Sequence, residues 1–358
     1  MPTVPSSQDR HGERSLQGPG LSQSVPWLRQ PVLAKPGDRL ADKPGGEGDL
    51  PCATRPDERC PACGDERHTP VIARYGYRYV RCASCRSVFV SPMPTEAALA
   101  AHYQAAGYFS GDEALGYRCY ADMHKALGPH FRRRLTVLGR ALGQPGRLLD
   151  FGCADGFFLE CARELGWQIA GIELARQMAG HASHKLGIAI ASSLEAAAER
   201  DLDAVTLWEV IEHLPQPLAT LERLADRLRP GGALMLSTPN AGHWQAVQEP
   251  ATWPGYRPPS HLALHTAGSL GRALAAAGLE RITVRGAAPL PHLPRWLRRA
   301  SAPLERSLAD GQARPWPIAL AAWRAIRAFG WAWHRAAHPH EELCAALEAL
   351  AFRPRAGV

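Results

Sequence analysis

The sequence predicts an α/β fold whose mostly parallel sheet is covered by helices on both faces. Three observations carry that expectation. Short apolar runs recur between residues 146 and 286, with room for a helix between successive runs. The first run closes on an acid and a glycine-punctuated turn, "LLDFGCADG", and the second closes on another acid, "GIEL". The segment "LRPGGALMLSTPN" reads as a helix end, a Pro-Gly-Gly turn and a buried strand. Strands are expected at 147–151, 168–173, 187–191, 203–208, 233–238 and 280–285.

At 358 residues the chain is long enough for one large domain with attachments. Residues 1–58, rich in Pro, Gly and Ser without apolar periodicity, read as a disordered leader. Residues 59–92 hold paired cysteines around short β-type runs, and residues 93–145 form a helical lead-in bearing Tyr103, Tyr108, Phe109, Tyr117 and Tyr120. The α/β domain spans 146–286, and a Trp- and Arg-rich helical tail spans 287–358. No apolar run approaches the ~18 residues of a membrane span, and the N-terminus lacks a secretory pattern. An intracellular, cytoplasmic protein is therefore expected. Of the formal charge of +7, residues 287–358 contribute a surplus of five, with ten Arg against five Asp and Glu. The basic excess is mainly a property of the tail and argues little for nucleic acid at the centre of the chain.

The turn after the first run decides what kind of ligand the fold holds. A dinucleotide fingerprint needs G-x-G-x-x-G, so that a helix N-terminus can approach a pyrophosphate. Counting from Gly152, its second and third glycine positions are Ala154 and Phe157, and the Phe157 ring disfavours NAD or FAD. No G-K-[ST] follows, which excludes a P-loop. What stands here is D-x-G-x-x-x-G, formed by Asp150, Gly152 and Gly156. This spacing suits a phosphate-free ligand whose amino-acid end lies on the turn backbone, its ammonium near a carboxylate. Glu173, ending the second strand, is placed to accept hydrogen bonds from ribose hydroxyls.

With these motifs the chain resembles the class I S-adenosylmethionine-dependent methyltransferases, over roughly residues 95–286. "LLDFGCADG", "GIEL", "DAVTLWEVIEHLPQP" and "LRPGGALMLSTPN" carry the match through their order and spacing. The resemblance implies a Rossmann-like seven-stranded sheet and S-adenosyl-L-methionine as cofactor. It implies that Asp150, Gly152 and Gly156 line the methionine end, with Glu173 at the ribose, and that Cys153 and Leu174 beside them are also cofactor-binding. Ser193 would lie near adenine, and Trp208 and Glu209 near the sulfonium. Ala154 departs from the family, which usually has glycine there.

Cys60-x-x-Cys63 and Cys82-x-x-Cys85, 18 residues apart, form two knuckles that supply four thiolates for a tetrahedral ion. All four positions being filled by protein, the expected zinc is structural and the segment a zinc ribbon. His68 lies inside the loop and reads as bland. Cys52 falls in the leader, and Cys119, Cys153, Cys161 and Cys344 read as isolated packing residues; none of the five has a neighbouring base. A ribbon ahead of a class I domain is similar to the zinc-containing sugar C-methyltransferases, and "EVIEHL" is similar to ubiquinone-type O-methyltransferases.

Methyl transfer needs an aligned acceptor and a base to remove its proton. In "WEVIEHL" a helical turn would present Glu209, Glu212 and His213 on one side. In ubiquinone-type relatives this triplet is associated with a divalent ion; here it could equally orient the acceptor, or Glu212 and His213 could cap the helix near Pro215. The second candidate is "YRPPSHLALHT", residues 256–266. In the sugar C-methyltransferases the corresponding loop reads roughly Tyr-His-Glu-His-Leu and its last His is the base. His261-Leu262 aligns with that pair, while Ser260 and Pro258 replace the Glu and the Tyr. Tyr108 and Tyr120 are candidates to close over cofactor or acceptor.

In the tail, Arg324, Arg327 and Arg335 cluster within about 80° of a helical wheel that also bears Trp316, Trp323, Trp331 and Trp333. Two readings stand: an interfacial helix on a membrane surface, or a helix docked on the domain with its Arg heads in water. "LEALAFRPR" would be a seventh strand, making the helices an insertion before it. His334, His338 and His340 show no ligand spacing. The expected function is methyl transfer to a small molecule, with a sugar, a polysaccharide precursor or a lipid-linked intermediate as acceptor. The alternatives are an RNA base methyltransferase with a zinc knuckle, against which "STPN" replaces N-P-P-[YF], and an inactive ribbon scaffold.

Overall fold

A computed structural model of the chain describes residues 59–95, 97–99, 102, 120–309 and 316–355. The expected leader 1–58, Cys52, Tyr103, Tyr108, Phe109, Tyr117, Cys119 and the side chains of Tyr120 and Trp316 lie outside the described residues.

Two sheets organise the rest. The larger has seven strands: β4 (Arg147–Phe151), β5 (Gln168–Ile172), β6 (Ile190–Ala191), β7 (Leu202–Trp208), β8 (Leu228–Pro239), β10 (Glu280–Pro289) and β11 (Cys344–Phe352). Their spatial order is β10-β11-β8-β7-β4-β5-β6. The pairs from β8 to β6 are all parallel, and β11 enters antiparallel to both β8 and β10. The run "LEALAF" is thus the strand wedged into the sheet, and the tail helices are an insertion between β10 and β11.

Helices cover both faces, as a parallel sheet requires. On one face lie α1 (Tyr120–Leu142) and α2 (Phe157–Glu164), which bury Phe131, Leu135, Leu138, Phe158 and Leu159 against Leu148, Ala204 and Met235. The helix α3 (Arg176–Leu186) adds Leu186 to that cluster. On the other face α4 (Pro217–Ala225) and α6 (Ala267–Ala276) bury Leu221, Leu224, Leu270 and Leu274 against Val205, Leu234 and Leu347. Fully burying one such side chain contributes about 1.5–3 kcal/mol, so these two clusters dominate the domain's stability.

Three strand boundaries differ from the sequence expectation. β6 is only two residues long, because Gly187 in the left-handed region (φ 64°) still closes α3. β8 begins at Leu228, since "LRPGG" pairs with the start of β7 and exchanges backbone bonds with Arg353. β10 continues to Pro289 because β11 matches it along that length.

The smaller sheet has the order β1-β2-β3-β9, all antiparallel: β1 (His68–Arg74), β2 (Tyr77–Cys82), β3 (Val88–Val90) and β9 (Ala263–Leu264). Its fourth strand comes from the loop that follows β8. The cysteine-bearing segment is therefore stitched to the α/β domain through backbone hydrogen bonds. The tail forms a helical hairpin, α7 (Arg295–Ala309) and α8 (Trp316–Ala337), after the short helix α5 (Trp244–Gln248). Docking of α8 runs through Arg327, which donates to the Pro289 carbonyl, and through buried His334. Phe329, Trp331 and Trp333 stay exposed, so the docked side is the one bearing Arg327 and His334. The docking expectation placed the Arg heads in water; Arg327 instead caps a strand carbonyl and Arg335 lies over the Trp331 ring.

Candidate functional site

The glycine turn links β4 to α2 at the carboxyl ends of the strands, next to the point where strand order reverses between β4 and β7. That is where open α/β sheets bind ligands. Gly152 (φ 80°), Ala154 (φ 48°) and Gly156 (φ 77°) all adopt the left-handed region. A Cβ on Gly152 would stand 2.6 Å from Val210 Cγ2, so the turn after β7 presses directly on the turn after β4. Gly156 is hemmed in by Leu186 and Ala182 of α3.

Three carboxylates surround this turn. Asp150 is buried and accepts a 2.6 Å bond from Thr206 Oγ1, tying β4 to β7. Burial, aided by the nearby Glu173 charge, pushes its carboxyl up to about 7. Glu173 accepts from the Ala154 amide (2.9 Å) and the Ala175 amide (2.8 Å), one bond per oxygen. Burial raises its pKa, while those amides oppose the rise. Asp155 pairs with His124 of α1 at 2.7 Å, and the His124 ring stacks on Phe157 at 3.9 Å. Gathering of acids and a ring at the helix entrance is hostile to a pyrophosphate and suited to a cationic, phosphate-free ligand. Each Glu173 oxygen retains a lone pair for a hydroxyl. The residues thus fit S-adenosylmethionine.

The remaining expected cofactor residues divide. Cys153 turns its thiol inward against Gly171, leaving only its backbone to the turn. Leu174 is exposed at the rim, and Ser193 Oγ accepts from the Ala196 amide. The Trp208 ring packs against Phe131 and Phe158 beneath Arg134, and its indole nitrogen is buried without a partner.

The "WEVIEHL" segment is not a helical turn presenting three side chains together. Glu209 takes a left-handed conformation (φ 55°) and directs its carboxylate to Ser237 Oγ at 2.6 Å. Only Ile211–His213 coil, as a 3-10 turn. Nor do Glu212 and His213 cap α4, whose N-cap is Gln216 without a side-chain bond. Instead Glu212 and His213 meet His261, and the ligand atoms of all three lie within 4.8 Å of one another. Glu212 is fully buried; one oxygen accepts from Thr238 (2.9 Å), and the other has no hydrogen-bond partner and stands 4.0 Å from His213 Nε2. Burial, then the neighbouring Glu209 charge, raises its pKa far above the carboxylate range.

His261 packs edge-on against His213, ring centres 4.9 Å apart. Its Nδ1 lies 2.8 Å from the Gly255 carbonyl, which accepts only, so Nδ1 carries the proton and Nε2 keeps a lone pair. Burial drives His261 down to about 4 and His213 well below its usual value, so both rings are neutral at pH 7. The small sheet supports this loop: Tyr79 Oη donates to the His261 carbonyl at 2.6 Å, and the Val90 amide to the Leu262 carbonyl at 2.9 Å. The Leu262 amide donates to the Glu212 carbonyl at 2.6 Å, joining the two candidate segments. Sequence reasoning missed Tyr79 and Thr238; the alternating "YRYV" of β2 was the available signal for the first.

Cys60, Cys63, Cys82 and Cys85 converge with all Sγ atoms within 4.8 Å. Sγ–Sγ separations are 3.5 Å for Cys60–Cys85 and 3.6 Å for Cys63–Cys82. A tetrahedron with zinc–sulfur bonds near 2.3 Å has edges of about 3.8 Å, so the four thiols fit such an ion closely.

Residues 123–284 match the family model described as a methyltransferase domain. The ubiquinone biosynthesis O-methyltransferase of Xanthomonas campestris pv. campestris (strain B100) is 38% identical over 117 residues, covering 30% of this chain and 49% of that protein. The protein of the same name from Aromatoleum aromaticum is 35% identical over 117 residues, covering 30% of this chain and 50% of that one. The chain thus spans about half the length of the curated relatives it matches. A solved SAM-dependent methyltransferase from Archaeoglobus fulgidus is similar with a TM-score of 0.45 and 14% identity, covering 65% of this chain and 98% of that one. Residues 123–284, with their glycine turn and within a seven-stranded, mostly parallel sheet, are thus similar to a methyltransferase domain, on an α/β fold typical of class I methyltransferases.

Proposed function

We propose that the protein transfers a methyl group from S-adenosylmethionine to a small molecule, with His261 as the base. The observation that carries the proposal is the fixed tautomer of His261: its Nδ1–H is spent on the Gly255 carbonyl, which leaves the lone pair on Nε2, in a ring that clusters with Glu212 and His213. S-adenosylmethionine, when bound, supplies a methyl carbon already activated by its sulfonium. Asp150, Gly152, Gly156 and Glu173 hold and orient it, and the loop 253–264 receives the acceptor. His261 Nε2 takes the acceptor's proton as oxygen or acidic carbon gains the methyl, beside the buried Glu212 carboxyl. Burial keeps the ring neutral down to about pH 4, so the Nε2 lone pair is unprotonated at neutral pH.

The same cluster supports a second reading, in which Glu212, His213 and His261 hold a divalent ion that orients the acceptor. The unpartnered, fully buried Glu212 oxygen favours it. Zinc in the four-cysteine cluster is proposed as structural. For the acceptor we propose a sugar, a polysaccharide precursor or a lipid-linked intermediate. What supports the last is the exposed set Trp296, Phe329, Trp331 and Trp333 on the tail hairpin, which offers aromatic rings to a membrane interface. Among the described residues no helix is long and apolar enough to cross a membrane.

The test measures S-adenosylhomocysteine release with nucleotide sugars and polyprenyl-linked sugars, alongside cofactor affinity by calorimetry. His261→Ala should abolish turnover and leave cofactor affinity intact; turnover unchanged in both His261→Ala and His213→Ala would discard the acid–base proposal. Activity lost on chelation and restored by a divalent ion would select the second reading.

A further inference from the structure

Outside the cofactor turn and the cysteine cluster, the fold assembles another set of donors from distant parts of the chain. His292 follows β10, whereas His338 and Glu341 lie between α8 and β11, yet their imidazole nitrogens and carboxylate all stand within 4.8 Å of one another. We propose that His292, His338 and Glu341 bind a divalent transition-metal ion of the zinc class, which clamps the two ends of the α7–α8 hairpin together at its base.

Two imidazoles and one carboxylate are a donor set for zinc and its neighbours rather than for magnesium or calcium, which prefer oxygen alone. Spacing agrees. His338 Nδ1 lies 3.0 Å from one Glu341 oxygen and His292 Nδ1 lies 3.4 Å from the other. Nitrogen and oxygen ligands about 2.0–2.1 Å from a tetrahedral ion stand about 3.4 Å apart.

Two of these atoms also lack any other role. His292 Nδ1 and Glu341 Oε2 are buried and have no hydrogen-bond partner, a state that native interiors rarely leave uncompensated. They face each other within ion-pair reach but outside hydrogen-bond geometry. A cation between them would satisfy both.

The surroundings orient the ligands as metal sites require. Buried His334 accepts a 3.1 Å bond from the His292 amide at Nδ1, so its Nε2 carries the proton and donates to the Glu341 carbonyl at 3.2 Å. With both nitrogens engaged, His334 is a positioning residue that fixes the backbone of two ligands. The His292 ring stacks on Trp244 at 4.2 Å and 7°, and Gln248 Nε2 donates to Glu341 Oε1 at 2.6 Å. The three side chains remain 20–28% exposed, which leaves a path for the ion and a position for water.

The experiment uses the full chain with the four-cysteine cluster already loaded, titrated with Zn²⁺ by calorimetry and assayed for bound metal. The wild type should take up one equivalent more than His338→Ala or Glu341→Gln, with Kd of about 1 μM or tighter. Glu341→Gln keeps the shape and the partners of the carboxylate, and circular dichroism confirms its fold. His181→Ala, on the exposed face of α3, should bind as the wild type does. Equal uptake by the wild type and both variants would overturn the proposal and leave a hydrogen-bonded staple.

Discussion

The phenol of Tyr79, on the second strand of the cysteine-bearing sheet, donates a 2.6 Å hydrogen bond to the backbone carbonyl of His261. Both groups are buried, and the Tyr79 ring tilts against Tyr256 at 4.9 Å. Arg74, from the adjacent strand, donates to the carbonyls of Trp253 and Tyr256 in the same loop. The face of the cysteine-bearing sheet thus braces the loop on which the proposed base is set.

Tyr79→Phe should accordingly act on the base without touching the cofactor. It leaves the His261 carbonyl buried and unpaired, a cost of about 1–3 kcal/mol. Turnover is expected to fall about tenfold, with the affinity for S-adenosylmethionine unchanged. Steady-state kinetics beside calorimetric titration of the cofactor would separate the two, and an equal loss in both would refute the positioning role.

Removal of the proposed zinc should reach the same loop. The knuckle at Cys85 is bonded to the domain through Arg272, which donates to the Cys85 carbonyl, and β3 follows it directly into the pairing with β9. Cys63→Ser, or chelation, is expected to lower the melting temperature and to abolish turnover, while cofactor binding at the distant turn survives. Metal analysis of the variant checks the first step and protease mapping of residues 253–264 the second; full activity in a zinc-depleted preparation would contradict it.

Gly152 offers a test of the proposed cofactor turn by itself. Its φ of 80° and the 2.6 Å approach of Val210 mean that Gly152→Ala strains the backbone and displaces the loop leading to Glu212. A stability loss of about 1–3 kcal/mol and at least a tenfold loss of cofactor affinity are expected. Thermal melts with and without S-adenosylmethionine measure both quantities.

The sheet was legible because each strand is a short apolar run closed by a turn signal, and the acids Asp150 and Glu173 mark strand ends that the chain order alone predicts. The cysteine knuckles were legible for the same reason: four ligands at local spacing. What sequence periodicity could not supply was any relation between segments. Glu209 looked like a partner of Glu212 because helical spacing was assumed; its left-handed backbone and the Ser237 hydroxyl turn it away. His338 looked isolated because its partner His292 lies 46 residues earlier, across the whole hairpin. Tyr79, in a short β-type run, carries no local signal of a role; its partner His261 reaches it only because the loop after β8 folds back to pair with β3. In each case the deciding contact is tertiary.

Stability toward acid should report the buried imidazoles. His261, His243 and His265 are each held near 4, against an ordinary value of 6.5, with burial as the largest cause in all three. At these rings the unfolded chain therefore binds more protons than the folded one between about pH 4 and 6.5, and their contribution to stability falls as pH drops through that window. A displacement of this size is worth up to about 3 kcal/mol per residue. Asp150 works in the opposite sense: held near 7 against 3.8, it favours the folded state below 3.8 and loses that advantage as pH rises toward 7. Glu173 and Glu212, also raised by burial, act in the same sense as Asp150, so the histidine contribution is read by difference between the wild type and a variant. His243→Gln removes one histidine contribution and should lose less stability than the wild type between pH 6.5 and 4. Chemical denaturation of both at half-unit pH steps would resolve the difference, and an identical pH dependence would show that the His243 ring does not resist protonation in the fold.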